Sequence, residues 1–298
     1  MSVTANPAAA SPRGRWRIAV LFLFLLLVAG CATQRGITEF TAYRDSYQMT
    51  ANAGNAILDQ LAVAERETRE LVTGPMDTTV KVRFDPAEAG YYSSVSDPPA
   101  TAALRRALQA LELYNDALYG LASGQDAEVL AARLSRLGAI GASAAASIAG
   151  GPTIATGIDT AIQDLQPLVT FALGFKTRAE FRNRLLRDAD TMRAILRSTR
   201  DGTREIYNLL LAKTVSEANA SSDGVLSQEQ REQAERVRAL LANWVVLLEG
   251  SGAMLEMAVA AMQDTSGRGS SAGLVEIGSR LEAAARETRR NIAESAIR

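Results

Sequence analysis

Long runs of apolar residues at alternating three- and four-residue spacing are the feature that most constrains this fold. The two longest runs extend from Phe181 to Leu209 and from Val237 to Met262, and similar runs occupy Ile37 to Leu61, Leu104 to Leu121 and Leu274 to Ile292. Residues at this spacing share one face of an α-helix, and such faces pack into seams between neighbouring helices. The sequence therefore predicts an all-α fold, an elongated antiparallel helical bundle with long coiled-coil-like helices.

The spacing also predicts individual helices. The first helix is expected from Ile37 to about Leu71, and its seam contains one charged residue, Arg44; the apolar seam residues are Ile37, Phe40, Tyr47, Ala51, Gly54, Leu58 and Leu61. A single helix from Thr177 to Glu217 would be a rod on the order of 60 Å long, at 1.5 Å per residue.

The composition narrows the class of function. The chain has no histidine, which excludes Ser-His-Asp and Cys-His nucleophile systems, an imidazole general base and imidazole metal ligands. Chemistry by carboxylates alone remains open, since a pair such as Asp188 and Asp190 could serve a glycosidase-like reaction. The same acids also suit a solvated helix face. We therefore expect a protein that is not an enzyme and that has no cofactor and no metal site.

The amino-terminal region has the pattern of a cleaved signal peptide. Three arginines precede eleven apolar residues, Ile18 to Val28, and the five residues Leu27-Val28-Ala29-Gly30-Cys31 follow at the end of this run. The run is shorter than the roughly 20 apolar residues of a transmembrane helix. The five-residue motif resembles the lipobox of Gram-negative bacterial lipoproteins. This resemblance implies that residues 1–30 are removed and that Cys31 carries the acyl chains that attach the protein to a membrane.

This resemblance also divides the chain into a tether and a folded domain, and it implies a cellular location. Residues 31–36 would form a lipidated tether and residues 37–298 a helical bundle domain. Removal of residues 1–30 leaves 29 basic and 33 acidic residues, a balance that does not favour nucleic acid as a partner. In the enterobacterial pattern an aspartate after the cysteine retains a lipoprotein in the inner membrane, and this chain has Ala32. We therefore expect lipid anchoring in the outer membrane, facing the periplasm.

One stretch, residues 74–99, differs in kind from the rest. It contains four prolines, the pair Tyr91-Tyr92 and a strand-like alternation from Val80 to Phe84. Such a long irregular connection between packed helices is uncommon and is often functional. It could be a recognition loop that offers an edge strand to a partner, or a flap that covers one end of the bundle.

A second stretch, residues 137–175, is unusually apolar. No charged residue occurs from Leu137 to Ile158, and small residues recur every fourth position as Gly138, Ala142, Ala146 and Gly150. Such a stripe lets another helix approach closely. The run could be two helices packed in the core. Its breaker, Gly150-Gly151-Pro152, also resembles in pattern the apolar hairpin of helical pore-forming toxins, which enters a bilayer.

The turn at residues 219–230 resembles an EF-hand loop. Asn219, Ser221 and Asp223 stand at the first three ligand positions, but Gln230 replaces the bidentate glutamate, so a hard cation would be held weakly. The other interpretation is that Ser227 caps the next helix and Gln230 closes a capping box.

These observations lead to one expectation and one alternative. We expect a membrane-anchored periplasmic lipoprotein that acts as a non-enzymatic binding or structural module of the cell envelope, with an envelope protein as partner. The alternative is a membrane-active helical protein that inserts its apolar segment, residues 137–175.

Overall fold

The computed structural model describes residues 35–73, 88–147, 162, 178–220, 224–264 and 271–296, which form helices and turns with no strand among them. The predicted all-α class is confirmed. The described helices are α1 (Arg35–Thr73), α2 (Ala89–Tyr92), α3 (Pro99–Ser123), α4 (Ala127–Ser147), α5 (Arg178–Asp201), α6 (Thr203–Ala220), α7 (Gln228–Gln263) and α8 (Ser271–Ala296).

Helix α1 packs through the predicted seam with one exception. Its buried residues include Phe40, Tyr43, Tyr47, Ala51, Leu58 and Leu61. Arg44, predicted in the seam, instead lies at its edge, where Nε donates to Asp116 Oδ1 on α3 over 2.7 Å. Successive residues of an α-helix point about 100° apart around the helix axis. Because Tyr43 points into the core, Arg44 points toward α3.

Helices α1 and α7 form the centre of the bundle, since α7 contacts α1, α5, α6 and α8, and α1 contacts α2, α3, α6, α7 and α8. The contacts between α1 and α7 run in reverse order along the two helices. Gly36 lies on Met262, and Gly54 lies on the ring of Trp244. Between them, the hydroxyls of Thr50 and Ser251 are 2.8 Å apart in the buried interface.

Helix α7 also has a composition that could suit a membrane. Among the described residues it is the one helix whose length and apolar character would allow it to cross a bilayer. Its side chains Trp244, Leu247 and Leu255 are fully buried in the helical core. Other helices cover this face, so core packing accounts for these three side chains.

Helices α3 and α4 meet at a tight turn. Gly124 ends α3 in the left-handed region with φ 71°, where glycine has no Cβ penalty, and the amide N–H of Gln125 donates to Gly120 O over 2.9 Å. Helix α4 then contributes Leu130, Leu134 and Leu137 to the core.

One described residue of the small-residue stripe in α4, Ala142, does not face a neighbouring helix. Ala142 is exposed, whereas Gly141 is buried. The buried face is thus offset from the stripe, because Leu130, Leu134 and Leu137 set it. Gly150 and residues 148–175 lie outside the described residues, apart from the buried Ile162, and so does the side chain of Ala146.

The predicted rod from Thr177 to Glu217 is interrupted. Helix α5 ends at Asp201 and α6 begins at Thr203, with a turn at Gly202. The backbone N–H of Gly202 still donates to Ser198 O over 3.0 Å, and that of Ile206 to Gly202 O over 3.2 Å. Glycine is a poor helix former because of its backbone freedom, which explains why the helix is interrupted at this residue.

Helix α8 follows its predicted seam. Leu281 and Thr288 are buried, and Leu274, Ile277 and Ile292 pack against the core at its border. A Cβ at Gly250 of α7 would lie 2.4 Å from Leu281 Cδ2, so the two helices approach closely there.

Candidate functional site

The predicted lipidation site, Cys31, and the predicted signal peptide, residues 1–30, lie outside the described residues. Helix α1 begins at Arg35, so the last two residues of the predicted tether, 31–36, are helical. Gly36 is already buried, since a Cβ there would lie 2.4 Å from Met262 Sδ. The cause is this contact with α7, which extends the helix toward the cysteine. Gly36 is thus the first described residue that packs in the core.

The described part of the predicted loop at residues 74–99 is ordered around a short turn. Residues Ala89–Tyr92 form the helical turn α2, and Pro99, the last residue of the predicted loop, is the first residue of α3. Its strand-like part, Val80 to Phe84, lies outside the described residues. A Cβ on Gly90 would lie 2.4 Å from the carbonyl oxygen of Asp97. The ends of residues 90–97 thus meet, and we call these residues the 90–97 segment.

Arg66 of α1 holds the 90–97 segment through its backbone. Its guanidinium donates to the carbonyl oxygen of Ser96 over 2.7 Å, to that of Ser93 over 3.0 Å and to that of Gly90 over 3.4 Å. The planar, five-donor fork of arginine suits such a set of acceptors, whereas a lysine could reach fewer of them. The segment therefore turns its carbonyl groups toward α1.

Two further arginines fix both ends of the segment. Before it, Arg69 of α1 pairs with Glu88 and lies over the Tyr91 ring, 5.5 Å from the centroid. After it, Arg105 of α3 donates to Asp97 over 2.6 Å and to Asp59 of α1 over 2.9 Å. The acidic residues on either side of the segment are thus paired within the molecule.

Glu65 joins α1 to the start of α3 beneath the segment. Its buried carboxylate accepts the backbone N–H groups of Ala100 over 3.0 Å and Thr101 over 2.9 Å, and the Thr101 hydroxyl over 2.9 Å. Helix N-termini leave N–H groups without intrahelical partners, and a carboxylate there also suits the helix dipole. Burial raises the pKa of the adjacent Tyr91, and Glu65 raises it further.

The side chains of the 90–97 segment that point outward are apolar or weakly polar. Val95 is 95% exposed and Tyr92 is 65% exposed, although the backbone that carries them is held by Arg66. Residues 90–96 include no charged residue. Such an arrangement provides no acid, base or nucleophile for catalysis, and it can offer a surface for contact with another molecule.

The carboxylates considered for glycosidase-like chemistry have separate structural partners. Asp188 accepts the Tyr114 hydroxyl over 2.6 Å and is 16% exposed, whereas Asp190 is 90% exposed and pairs with Arg193. Burial raises the pKa of Tyr114, and the nearby Asp188 charge raises it further. The two acids do not face one site. Among the described residues, no group of three or more acidic or cysteine side chains is placed to hold a metal ion.

The turn with EF-hand-like spacing forms the predicted capping box. The Gln230 N–H donates to Ser227 Oγ over 3.2 Å, and the Ser227 N–H donates to Gln230 Oε1 over 2.9 Å. The Gln230 oxygen that would replace the last calcium ligand is therefore used by the backbone. Asp223 and Ser221 lie outside the described residues.

Two open grooves beside α7 were not predicted from the sequence. One of about 460 Å³ lies between α6 and α7, with an apolar part formed by Leu211, Val215 and Leu226. The other, of about 270 Å³, lies between α5 and α7. There Arg200 faces Glu249 over 3.5 Å and Arg193 faces Glu256 over 3.7 Å. Two ion pairs thus cross the second groove, and its lining also includes Arg197.

The arginines that hold the 90–97 segment were also missed by the sequence analysis. Arg66 and Ser96 are 30 residues apart, and no periodicity links a helix residue to carbonyl groups in a distant turn. The only signal was indirect, namely the tyrosine pair in a proline-rich stretch.

Comparisons of the chain with protein-family models, with curated proteins and with solved structures found no match.

Proposed function

We propose that the protein is a membrane-anchored periplasmic lipoprotein that acts as a non-enzymatic binding or structural module of the cell envelope. The observation that carries this proposal is the motif Leu27-Val28-Ala29-Gly30-Cys31 after an arginine-containing flank and an apolar run. The start of packing at Gly36 supports it.

Acyl chains on Cys31 would hold the protein on the outer membrane, with the bundle in the periplasm. Ala32 after the cysteine favours the outer membrane over the inner membrane as the location. Stable attachment takes two or more acyl chains, because one chain alone binds a membrane reversibly. Only three residues separate Cys31 from Arg35, so the start of α1 would lie close to the bilayer surface.

The finer architecture that we propose is an elongated antiparallel bundle with coiled-coil-like seams. The reversed order of the α1 and α7 contacts supports an antiparallel pair. The same order holds for α1 and α3, where Tyr47 Oη donates to Leu108 O over 2.8 Å and Glu65 accepts from Thr101. The 39 residues of α1 correspond to roughly 60 Å of helix.

A binding or structural role is supported over an enzymatic one by the side chains present. The chain lacks histidine, and Asp188 and Asp190 serve separate structural partners. The net negative balance of the chain after residue 30 does not suit nucleic acid. An envelope protein is therefore the partner that we propose, together with the membrane that holds the acyl chains.

The alternative of a membrane-inserting hairpin at residues 137–175 gains no support from the described part of α4. Leu137 is buried with Leu130 and Leu134 in the core that includes α3. These contacts would have to separate before the start of the hairpin could enter a bilayer.

The experiment that tests the proposed anchor replaces the acylated atom. We expect Cys31→Ser either to accumulate as an uncleaved precursor or, where residues 1–30 have been removed, to leave the detergent phase in a Triton X-114 partition, because the sulfur carries the first acyl chains. Ala32→Asp is the matched control, since it should remain acylated and in the detergent phase. A mature Cys31→Ser protein that still enters the detergent phase would contradict the proposal.

The proposed location in the outer membrane is tested separately. We expect the unaltered protein to sediment with outer-membrane markers in a sucrose gradient and Ala32→Asp to shift to the inner-membrane fraction. If the unaltered protein is found with inner-membrane markers alone, the proposed address is wrong.

A further inference from the structure

The groove between α6 and α7 has an apolar bottom and is bridged at one end. Leu211 of α6 and Ala234 of α7 lie at the bottom, where they are 6% and 8% exposed, and Val215 on the wall is 47% exposed. At one end the guanidinium of Arg238 on α7 reaches across to α6 and donates to the Tyr207 hydroxyl over 3.2 Å. This bridge limits the length of the groove.

The other end of the groove has an apolar side chain and a cation. The connection between α6 and α7, which carries Leu226, lies at this end. Arg231 stands close by, near the start of α7, and donates to Gln228 Oε1 over 3.0 Å. Glu235 is the one carboxylate among the described residues that line the groove, and it pairs with Arg238. Within the described part of the chain, Arg231 therefore has no carboxylate partner.

We propose that this groove binds a free single-chain amphiphile, with its alkyl chain on Leu211 and Ala234 and its anionic group at Arg231. This inference rests on the proposed function as a binding module and names the class of ligand. Small-molecule sites are clefts of about 300–1,000 Å³ that are mostly apolar and have a few polar groups to orient the ligand. The groove, at about 460 Å³, has this size and this kind of lining.

The volume of the groove suits one alkyl chain. A methylene group takes about the volume of a water molecule, roughly 30 Å³, so a chain of twelve carbons needs roughly 360 Å³. The groove of about 460 Å³ can therefore hold one such chain and cannot hold two. A phospholipid with two chains would leave the second chain without an apolar environment, which is unfavourable in water.

The charges favour an anionic head group. An anion at Arg231 gains charge-assisted hydrogen bonds, which are stronger than hydrogen bonds between neutral groups. A cation at this end would be repelled by Arg231, and the carboxylate of Glu235 is already paired with Arg238. A long helix of a partner protein fits this groove less well than a short chain, because the contact between Arg238 and Tyr207 crosses it.

The test is photolabelling of the full-length protein in a membrane-containing lysate of its source cells. The probe is dodecanoic acid with a photoreactive diazirine near the end of its chain, and mass spectrometry locates the labelled residues. We expect label on the residues of α6 and α7 that line the groove. Unlabelled dodecanoate should compete with the probe, whereas dodecyltrimethylammonium should not, because its head group has the opposite charge.

Two substitutions separate the contacts of the chain from those of the head group. Ala212→Phe fills the groove and should lower groove labelling by about tenfold or more, because each methylene left outside weakens binding by about fourfold. Arg231→Glu should lower it by about fivefold, which corresponds to about 1 kcal/mol for a partly exposed charge pair. Arg289→Glu is the matched control, since Arg289 is an exposed arginine on α8, and it should leave the labelling unchanged.

Thermal unfolding followed by circular dichroism establishes that each variant is folded. If Ala212→Phe does not fold, Val215→Asp replaces it, because the largely exposed Val215 side chain tolerates a polar group while the groove loses part of its apolar wall. The same loss of labelling by about tenfold is expected for Val215→Asp.

Other occupants of the groove give different results. The photoreactive residue p-benzoylphenylalanine at position 215 should form no adduct with a protein. An adduct with a second copy of this chain, or with another protein, would instead show that a protein covers the groove. A phosphatidylglycerol with the same diazirine on one of its two chains should label the groove at least about tenfold less than the dodecanoate probe.

The amphiphile site would be overturned by a protein adduct at position 215, by equal groove labelling from the phospholipid, by no groove labelling from dodecanoate, or by an unchanged yield with Arg231→Glu. Detergent partition of the same lysate reports on the lipid anchor separately. A protein that is labelled in the groove but enters the aqueous phase would refute the anchor and retain the amphiphile site, and an anchored protein without groove label would do the reverse.

Discussion

The contact between Gly54 and Trp244 is the sharpest test of how α1 and α7 pack. A Cβ built on Gly54 would lie 1.9 Å from Trp244 Cη2 and 2.8 Å from Leu108 Cδ1. Carbon atoms in good contact are about 3.5–4.0 Å apart. The indole ring would therefore have to move by more than about 1.5 Å, and Trp244 is fully buried among neighbours that oppose this movement.

The magnitude follows from two opposing effects of Gly54→Ala. Overpacking in a core costs about 1–3 kcal/mol, and this overlap favours the upper end of that range. Replacement of a helical glycine by alanine stabilises the helix by about 1 kcal/mol. We therefore expect Gly54→Ala to lower the free energy of unfolding by about 2 kcal/mol.

A matched control separates packing from helix propensity. Gly252 also lies inside a helix, but a Cβ there would meet no atom within 4 Å. Gly252→Ala should therefore stabilise the protein by up to about 1 kcal/mol. The assay is urea unfolding of the chain from Ala32 onward. With a slope of about 3 kcal/mol per M, the two variants should shift the midpoint in opposite directions, Gly54→Ala by roughly −0.7 M.

A double variant refines the test. Trp244→Leu removes the ring that the added methyl group of Gly54→Ala would overlap, so Gly54→Ala should cost much less in that background than in the unaltered protein. The reasoning would be refuted if Gly54→Ala stabilised the protein as much as Gly252→Ala, or if its cost were the same in both backgrounds.

Three other predictions concern buried polar groups and a helix cap. Glu65→Gln should destabilise the protein by about 2–3 kcal/mol in urea unfolding, because it weakens hydrogen bonds to a charged acceptor; an unchanged midpoint would contradict this. Burial raises the pKa of Tyr43, Tyr47 and Tyr114 in the folded state, so this contribution to stability is complete below the unfolded-state pKa of about 10 and is lost as the pH rises above it. Absorbance at 295 nm should show these tyrosines ionising together with unfolding, and their ionisation in a still-folded protein would be the opposite result. Ser227→Ala should cost about 1 kcal/mol through loss of the helix cap, measured by thermal unfolding, and no loss would show that the capping box contributes little.

The sequence predicted the helices well where the apolar spacing was regular. The seam of α1 was predicted with few errors, because a buried helix face leaves its period in the order of residues. The capping box at Ser227 was predicted for a similar reason, since its partners are three residues apart. The predictions were wrong at Arg44 and Ala142, where the outcome depended on which neighbouring helix covers which face. The interruption at Gly202 has a local cause, the low helix propensity of glycine.

The arrangement of the 90–97 segment was less predictable. The sequence singled out residues 74–99 as unusual, but it could not indicate that Arg66 and Arg105 hold the 90–97 segment. These contacts join positions that are 8 to 30 residues apart in the chain. They exist only because α1, α3 and the connecting turn meet in space.

What the sequence alone determined is the helical class, the main seams, the local caps and the expectation of a lipid anchor at Cys31. These depend on residue types at short, fixed spacings. What only the tertiary structure decided is that the ring of Trp244 lies on Gly54 and that Tyr92 and Val95 face outward. The physical reason is that these relations depend on the packing between helices, and residues far apart in sequence carry no local signal of the distance between them.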